Sequence, residues 1–334
     1  MWSNIFIEKK LEAHPRAQHL LSLFPKTPIT TINRYDEYWG RFKKPYLHKR
    51  DELNLYIAEK RGQLVKRAPD AYGLAGEPHY YFIHAYNCIY ECQYCYLQGH
   101  FNTPDLVLFL NHEDIIHEMT ETVKLHQEKV WFHAGEFSDS LALSHMTGEL
   151  PLYFDFFKIR PNAYLELRTK SSNIRELKKL SPLENVITSF SLSPEMISKR
   201  IDLKTPSLKA RLDSMKELKD LGHKLAIHLD PIIYTDTLAE DYTHLFEELK
   251  KRDLIECLRY VSLGVVRFTK DVHREVERNY PDSMIHTQPM INSFDNKVRY
   301  NHTLRHWMLG KVKSLALEFG FTENQLYLCM EDDA

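Results

Sequence analysis

From Pro78 onward the chain alternates short apolar runs, rich in β-branched and aromatic residues, with amphipathic helical patterns. Six runs are expected strands: HYYFIHAY, KVWFHAG, YLELRTK, NVITSFSLS, KLAIHLDPII and LRYVSLGVV. Between them HEDIIHEMTETVKLHQ, SLKARLDSMKELKDLG and DYTHLFEELKKR carry apolar residues at helical spacing, and the second of these stops at Gly222. A helix between two strands returns the chain to the same end of a sheet, so this alternation predicts parallel βαβ units. The fold class expected is α/β, and six units suit an open, partial (βα)6 TIM-like barrel better than a closed eight-unit one. With 334 residues, 43% of them hydrophobic, the chain can bury the core such a barrel needs.

Around this barrel, assigned to residues 78–266, two further regions are expected. Residues 1–77 form an N-terminal preface, helical and irregular and locally basic. Residues 267–334 break the strand–helix rhythm with NYPDSM, SFDNKVRYNH and the helical run HWMLGKVKSLALEFG, and are expected to cap the barrel mouth with a segment able to contact substrate or DNA.

Charge constrains partners only locally. Lys and Arg total 44 against 46 Asp and Glu, a formal net charge of -2, which exerts no global pull on nucleic acid. Between Arg34 and Arg67, however, ten Lys/Arg face five Asp/Glu, in RFKKPYLHKR and EKRGQLVKRAP. A solvated face and a phosphate-backbone contact both fit that stretch. The N-terminal segment lacks a basic region followed by an apolar run, and no stretch approaches the ~18 apolar residues of a membrane span, so neither secretion nor a membrane is expected. Five cysteines, three of them within eight residues, argue against a disulfide framework and for a reducing cytoplasm.

Those three form Cys88-Ile-Tyr-Glu-Cys92-Gln-Tyr-Cys95, a C-x3-C-x2-C spacing just after the first strand. Three close thiolates can each ligate one iron of a [4Fe–4S] cubane and leave the fourth iron open. That iron can take the amino and carboxylate groups of S-adenosylmethionine (SAM) and deliver an electron to its sulfonium, giving methionine and a 5′-deoxyadenosyl radical. The position agrees, since barrel active sites lie at the C-terminal ends of strands. A structural zinc with His84 or His100 as fourth ligand is the alternative, but the paired C-x2-C spacings usual for zinc are absent.

C-x3-C-x2-C followed by an aromatic resembles the signature of the radical SAM superfamily. The longer stretch CQYCYLQGHF resembles, more narrowly, the spore photoproduct lyase family, which repairs a thymine dimer in the DNA of ultraviolet-irradiated spores. The likeness continues through Ser138-Asp139, Lys170, VITSFSLS, VVRFTKDVHREVERNYP and Arg299-Tyr300, covering the chain from about residue 75 to its end. The resemblance implies Cys88, Cys92 and Cys95 as cluster ligands. Tyr94 and Tyr96 match tyrosines beside the cluster, with Tyr96 in the hydrogen-atom relay, although both also suit simple packing that keeps water from the cluster. Ser138, Asp139 and Lys170 match positions around SAM, where Lys170 also fits an ordinary ion pair at a strand end. Arg299 and Tyr300 match a segment that touches the lesion. Implied partners are DNA carrying a pyrimidine lesion and an electron donor such as flavodoxin or ferredoxin.

One position departs from the family. Glu136, in HAGEFSD, stands where the lyases carry the cysteine that returns a hydrogen atom to the repaired thymine. A carboxylate O–H bond is too strong for that step, whereas a thiol S–H is weak. Gly135-Glu136 also resembles the Gly-Gly-Glu-like motif of many radical SAM proteins, whose groups bind the amino group of SAM through charge-assisted hydrogen bonds. Cys257 and Cys329 are the other thiols, each expected to be a small buried apolar residue. Three functions follow: a lyase of the spore photoproduct type acting on damaged pyrimidines, a radical SAM enzyme of the same lineage acting on a nucleoside, peptide or metabolite, and a non-catalytic DNA-binding protein with a structural cluster.

Overall fold

The computed structural model describes residues 2–69, 76–293 and 295–330. All six expected strands form: β1 His79–Phe82, β2 Val130–Ala134, β3 Ala163–Thr169, β4 Val186–Ser191, β5 Lys224–Ile232 and β6 Leu258–Val265. They lie side by side in chain order, and every neighbouring pair is parallel. Helices α1 His112–Lys124, α2 Leu150–Lys158, α3 Leu208–Asp220 and α4 Leu238–Lys250 connect them. The β3–β4 connection instead holds only a 3-10 turn, Leu177–Lys179. There Thr169 Oγ1 accepts from the Ser171 amide at 2.8 Å and Ser171 Oγ from the Asn173 amide at 2.9 Å, local bonds that compete with helix formation.

The C-terminal region adds a small antiparallel sheet of β7 Arg267–Thr269, β8 Met290–Asn292 and β9 Lys297–Tyr300. Its last strand, β10 Leu326–Leu328, does not stay in the cap but extends the barrel ladder, parallel to β6. At the other edge Val65–Arg67 pairs antiparallel with β1. Among the described residues these two outer strands do not pair with each other, so the ladder is open. Helices α5 Lys270–Asn279 and α6 His302–Glu318 complete the region, and no described helix is long and apolar enough to cross a membrane.

The preface departs from the helical expectation. Among the described residues it holds one eight-residue α-helix, Pro15–Ser22, and, besides the edge strand Val65–Arg67, three strands, Ile5–Glu8, Ile29–Ile32 and Leu55–Ala58. These join Leu106–Phe109 and Ala85–Tyr86, both from the loop between β1 and α1, in a second, five-stranded sheet. Four-residue strands are too short to display a period, and this sheet is completed only by residues distant in the chain.

Inside the ladder, residues two apart on each strand face inward and stack in layers. Trp131, Tyr164, Ile187, Ala226 and Tyr260 pack at the bottom. Above them the buried Glu166 accepts from Ser189 Oγ at 2.7 Å, His228 Nε2 at 2.6 Å and Tyr260 OH at 2.8 Å, and pairs with His133 and Arg168. Burial alone would raise its pKa, but Arg168, His228 and His133 together hold it well below the usual carboxylate range. Arg168, Ser191 and Asp230 form the top layer, which is the floor of the site.

Candidate active site

At the C-terminal strand ends the ladder opens into a cavity of about 600 Å³, a size suited to a small-molecule ligand. Cys88, Cys92, Cys95, Tyr94, Tyr96, Glu136, Ser138, Asp139 and Lys170 all reach its wall.

The cysteine loop is held by its own turns and by both flanking regions. Asn87 starts it at φ 62°, left-handed geometry that Asn tolerates, and its Nδ2 donates to the Thr103 and Asp105 carbonyls at 2.7 and 2.8 Å. Glu91–Cys92 pairs antiparallel with Asp202–Leu203. Gln98 Nε2 donates to the Gln93 and Cys95 carbonyls at 2.8 and 2.9 Å, closing the turn around Cys95. Glu91 is buried and accepts from Arg50 Nε of the preface at 2.8 Å and from Tyr280 OH of the cap at 3.0 Å.

The surroundings decide what these thiols suit. Burial pushes Cys88 up to about 12 and Cys92 well above the ordinary thiol value. Such thiols remain protonated unless a cation replaces the protons, as iron does. Among the described residues the three sulfurs are not all gathered within 4.8 Å of one another, a wider spread than the tetrahedral set of a single zinc, which disfavours that ion. Two buried polar atoms beside them, Lys49 Nζ and Tyr46 OH, have no hydrogen-bond partner among the described residues. Lys49 Nζ lies 5.2 Å from the centre of the Tyr46 ring. A cubane held by three thiolates is anionic, and an orphaned buried cation beside it is the complement that charge needs. The residues fit the cluster.

On the opposite wall, Gly135 adopts φ 101°, and a Cβ there would stand 2.7 Å from Ser140 Oγ and 3.0 Å from the Arg168 carbonyl. Only glycine allows β2 to turn so sharply and present Glu136 to the cavity. Tyr96, 37% exposed, donates to the Glu136 main-chain carbonyl and lies 3.5 Å from its Oε1. The Asp139 carboxylate is fully engaged by the protein. Its Oδ1 accepts from the Leu141 and Ala142 amides at 3.0 and 2.9 Å and from Thr169 Oγ1 at 2.7 Å, and its Oδ2 from the Lys170 amide at 2.7 Å. It therefore ties the β2 loop to the end of β3. Lys170 Nζ lies 5.3 Å from the centre of the Tyr94 ring, while the Tyr94 hydroxyl donates to Asp202.

Arg299 and Tyr300 are not brought to this wall. Arg299 is 3% exposed and pairs with Asp295 at 2.6 Å; Tyr300 is fully buried and donates to the Ile285 carbonyl at 3.0 Å. Lys297, on the same strand, does line the cavity. Sequence reasoning also missed Arg168, Asp230 and Arg267, a floor in which Arg267 binds the Asp230 carboxylate at 2.9 and 3.0 Å. Arg267 Nη2 lies 3.5 Å from Cys329 Sγ. The alternating inward positions of β3 and β5 are the signal that could have found Arg168 and Asp230.

An open parallel ladder with a three-cysteine loop after its first strand defines the radical SAM class of α/β proteins. The family model for spore photoproduct lyase matches residues 75–303. The chain belongs to the spore photoproduct lyase family. The spore photoproduct lyases of Bacillus subtilis and of a Geobacillus species are each 25% identical over 205 residues, 60% of this chain and 60% of theirs. The chain thus spans about 60% of the length of those two relatives. That of Clostridium acetobutylicum is 22% identical over 289 residues, 85% of this chain and 84% of the relative. Among solved structures, a spore photoproduct lyase complexed with dinucleoside spore photoproduct matches with TM-score 0.82 at 19% identity over 98% of each chain. A doubly substituted lyase with bound AdoMet and the same dinucleoside matches at 0.81, also 19% identical over 98% of each chain. These likenesses establish the fold.

Proposed function

We propose that this chain is a radical SAM lyase acting on a pyrimidine lesion of the spore photoproduct type in DNA. The observation that carries the reading is the sharing of one cavity by the three clustered cysteines, Tyr96 and Glu136, in a chain of this family. Cys88, Cys92 and Cys95 would hold a [4Fe–4S] cluster. When bound, cluster and SAM supply an electron and a carbon-centred radical at the cavity. The protein's own residues orient and shield. Glu136 is suited to accept from the SAM ammonium, with Ser138 and Lys170 beside it. Asp139 sets the position of both by tying their loops together. Tyr96 offers a hydroxyl at the wall for hydrogen transfer, and Tyr94, anchored on Asp202, positions Cys92.

A lesion must leave the duplex to enter such a cavity, which is easier for a damaged, poorly stacked base. Lys297 is the cap residue suited to contact it, with Arg299 and Tyr300 securing its strand. The exposed residues of the basic stretch between Arg34 and Arg67, such as Arg41 and Lys43, would carry phosphate contacts. In this reading residues 1–77 and 267–334 act as two clamps on the barrel of 78–266, the protein is cytoplasmic, and a flavodoxin or ferredoxin supplies electrons.

Glu136 favours a second reading, a non-DNA substrate, because the wall there offers no thiol. The deciding experiment is anaerobic: reconstituted protein, dithionite, SAM and an oligonucleotide bearing spore photoproduct. Two restored thymines with 5′-deoxyadenosine support the lyase. 5′-Deoxyadenosine with an intact lesion sinks the DNA substrate and leaves the radical chemistry standing.

A further inference from the structure

Outside the cavity, the stretch VVRFTKDVHREVERNYPDSMIH contains His273 and Glu277, four residues apart and therefore on one face of α5. After Tyr280 the chain reverses, and the 3-10 turn Met284–Thr287 lays His286 back against that face. The two imidazole rings meet edge to face with centroids 5.7 Å apart. A ring nitrogen of each histidine and a carboxylate oxygen of Glu277 all lie within 4.8 Å of one another. His273 Nδ1 is 3.4 Å from Glu277 Oε2.

The Nε2 atoms of His273 and His286 are both buried and have no hydrogen-bond partner among the described residues. Folded proteins seldom leave buried ring nitrogens unpaired, so each ring carries a nitrogen that the described residues leave open to a ligand. Burial lowers the pKa of both imidazoles, so each keeps a lone pair at neutral pH. Two neutral imidazoles and one carboxylate form a nitrogen-rich donor set that suits Zn²⁺ and not the all-oxygen preference of Mg²⁺ or Ca²⁺.

We propose that His273, Glu277 and His286 bind one Zn²⁺, with water in the fourth position, and that the ion staples α5 to the segment leading into β8. The staple would bear on the cysteine loop. Gly99, in the one-turn helix Leu97–His100, packs so closely on α5 that a Cβ would stand 2.9 Å from Val272 Cα. Asn279 Nδ2 donates to Gln98 Oε1 at 2.9 Å, and Ser283 Oγ donates to Gln93 Oε1 at 2.5 Å. Both sides of the proposed site therefore grip residues flanking Cys95.

The test uses protein with its cysteines already filled by the iron–sulfur cluster, so that added zinc cannot settle there. After one equivalent of Zn²⁺ and gel filtration, one zinc per chain should remain. Zinc-edge X-ray absorption should show nitrogen and oxygen at about 2.0 Å and no sulfur at about 2.3 Å. His273→Gln and His286→Gln should each weaken zinc binding by more than the roughly 10-fold that loss of an outer-shell partner costs, with iron content unchanged. A sulfur shell, or no zinc retained by the wild-type chain, overturns the proposal and leaves an ordered water between the rings. The wild-type measurements decide even if a variant fails to fold.

Discussion

The Tyr96 hydroxyl donates to the main-chain carbonyl of Glu136, joining the cysteine loop to the end of β2 across the cavity. The bond fixes the phenol at the cavity wall beside Glu136. Tyr96→Phe removes one hydrogen bond, worth about 1 kcal/mol, or roughly five- to tenfold, through positioning alone. 5′-Deoxyadenosine should still form while product yield falls by at least that factor. Equal losses of both, measured by chromatography, would move Tyr96 out of the relay.

Glu136 itself separates two roles. If its carboxylate grips the SAM ammonium, Glu136→Ala should weaken SAM binding by about 1.5–3 kcal/mol, roughly ten- to a hundredfold, in calorimetry. Unchanged affinity with lost turnover would assign the side chain to substrate instead. Glu136→Cys restores a weak S–H bond at this wall and should raise the ratio of repaired lesion to 5′-deoxyadenosine if the substrate is of the family's type.

Lys49 is 2% exposed and its Nζ has no hydrogen-bond partner among the described residues. Its charge would favour the reduced, more negative form of a cluster held by Cys88, Cys92 and Cys95. Lys49→Met should lower the midpoint potential by on the order of 50 mV, about 1 kcal/mol for one electron. A redox titration followed by electron paramagnetic resonance reads this directly, and an unchanged potential would place Lys49 beyond electrostatic reach of the cluster.

Asp139 is an anchor with four acceptor contacts. Asp139→Asn turns an NH2 group toward amide donors and should cost about 1–3 kcal/mol in urea unfolding. Asp139→Ala should cost more. If both variants keep wild-type stability and lose only SAM affinity, the carboxylate is a direct ligand.

Glu149 is buried at the start of α2, and burial pushes its pKa up to about 7 despite the hydrogen bond from Thr147. The folded state holds that proton more tightly than the unfolded chain does. The stabilising contribution is therefore complete below the unfolded value near 4.5 and is lost as pH rises through about 7. Glu149→Gln should flatten this slope and stabilise the protein at pH 8 by up to about 3 kcal/mol, measured by unfolding across pH. An unaltered slope would show that Glu149 ionises freely.

Much of this was legible from spacing. The six strands, their parallel order and the cysteine loop appear in short stretches of sequence, where period and ligand spacing are local properties. The second sheet was not legible, because IFIE and LYIA become strands only when LVLF, from the loop after β1, lies beside them. Arg299 and Tyr300 show a related difficulty. A polar side chain in a C-terminal strand suits substrate contact equally with burial, and here Asp295 and the Ile285 carbonyl take those groups into the interior.

By itself, then, the sequence determined the ladder and the place of its three-cysteine loop, since strand alternation and C-x3-C-x2-C act over neighbouring residues. Tertiary structure alone decided how that loop is held. Arg50, Glu91 and Tyr280 are strangers in the chain and meet because a buried carboxylate must find its partners wherever the fold brings them. Likewise His286 joins His273 and Glu277, already neighbours on α5, only after the chain reverses at Tyr280.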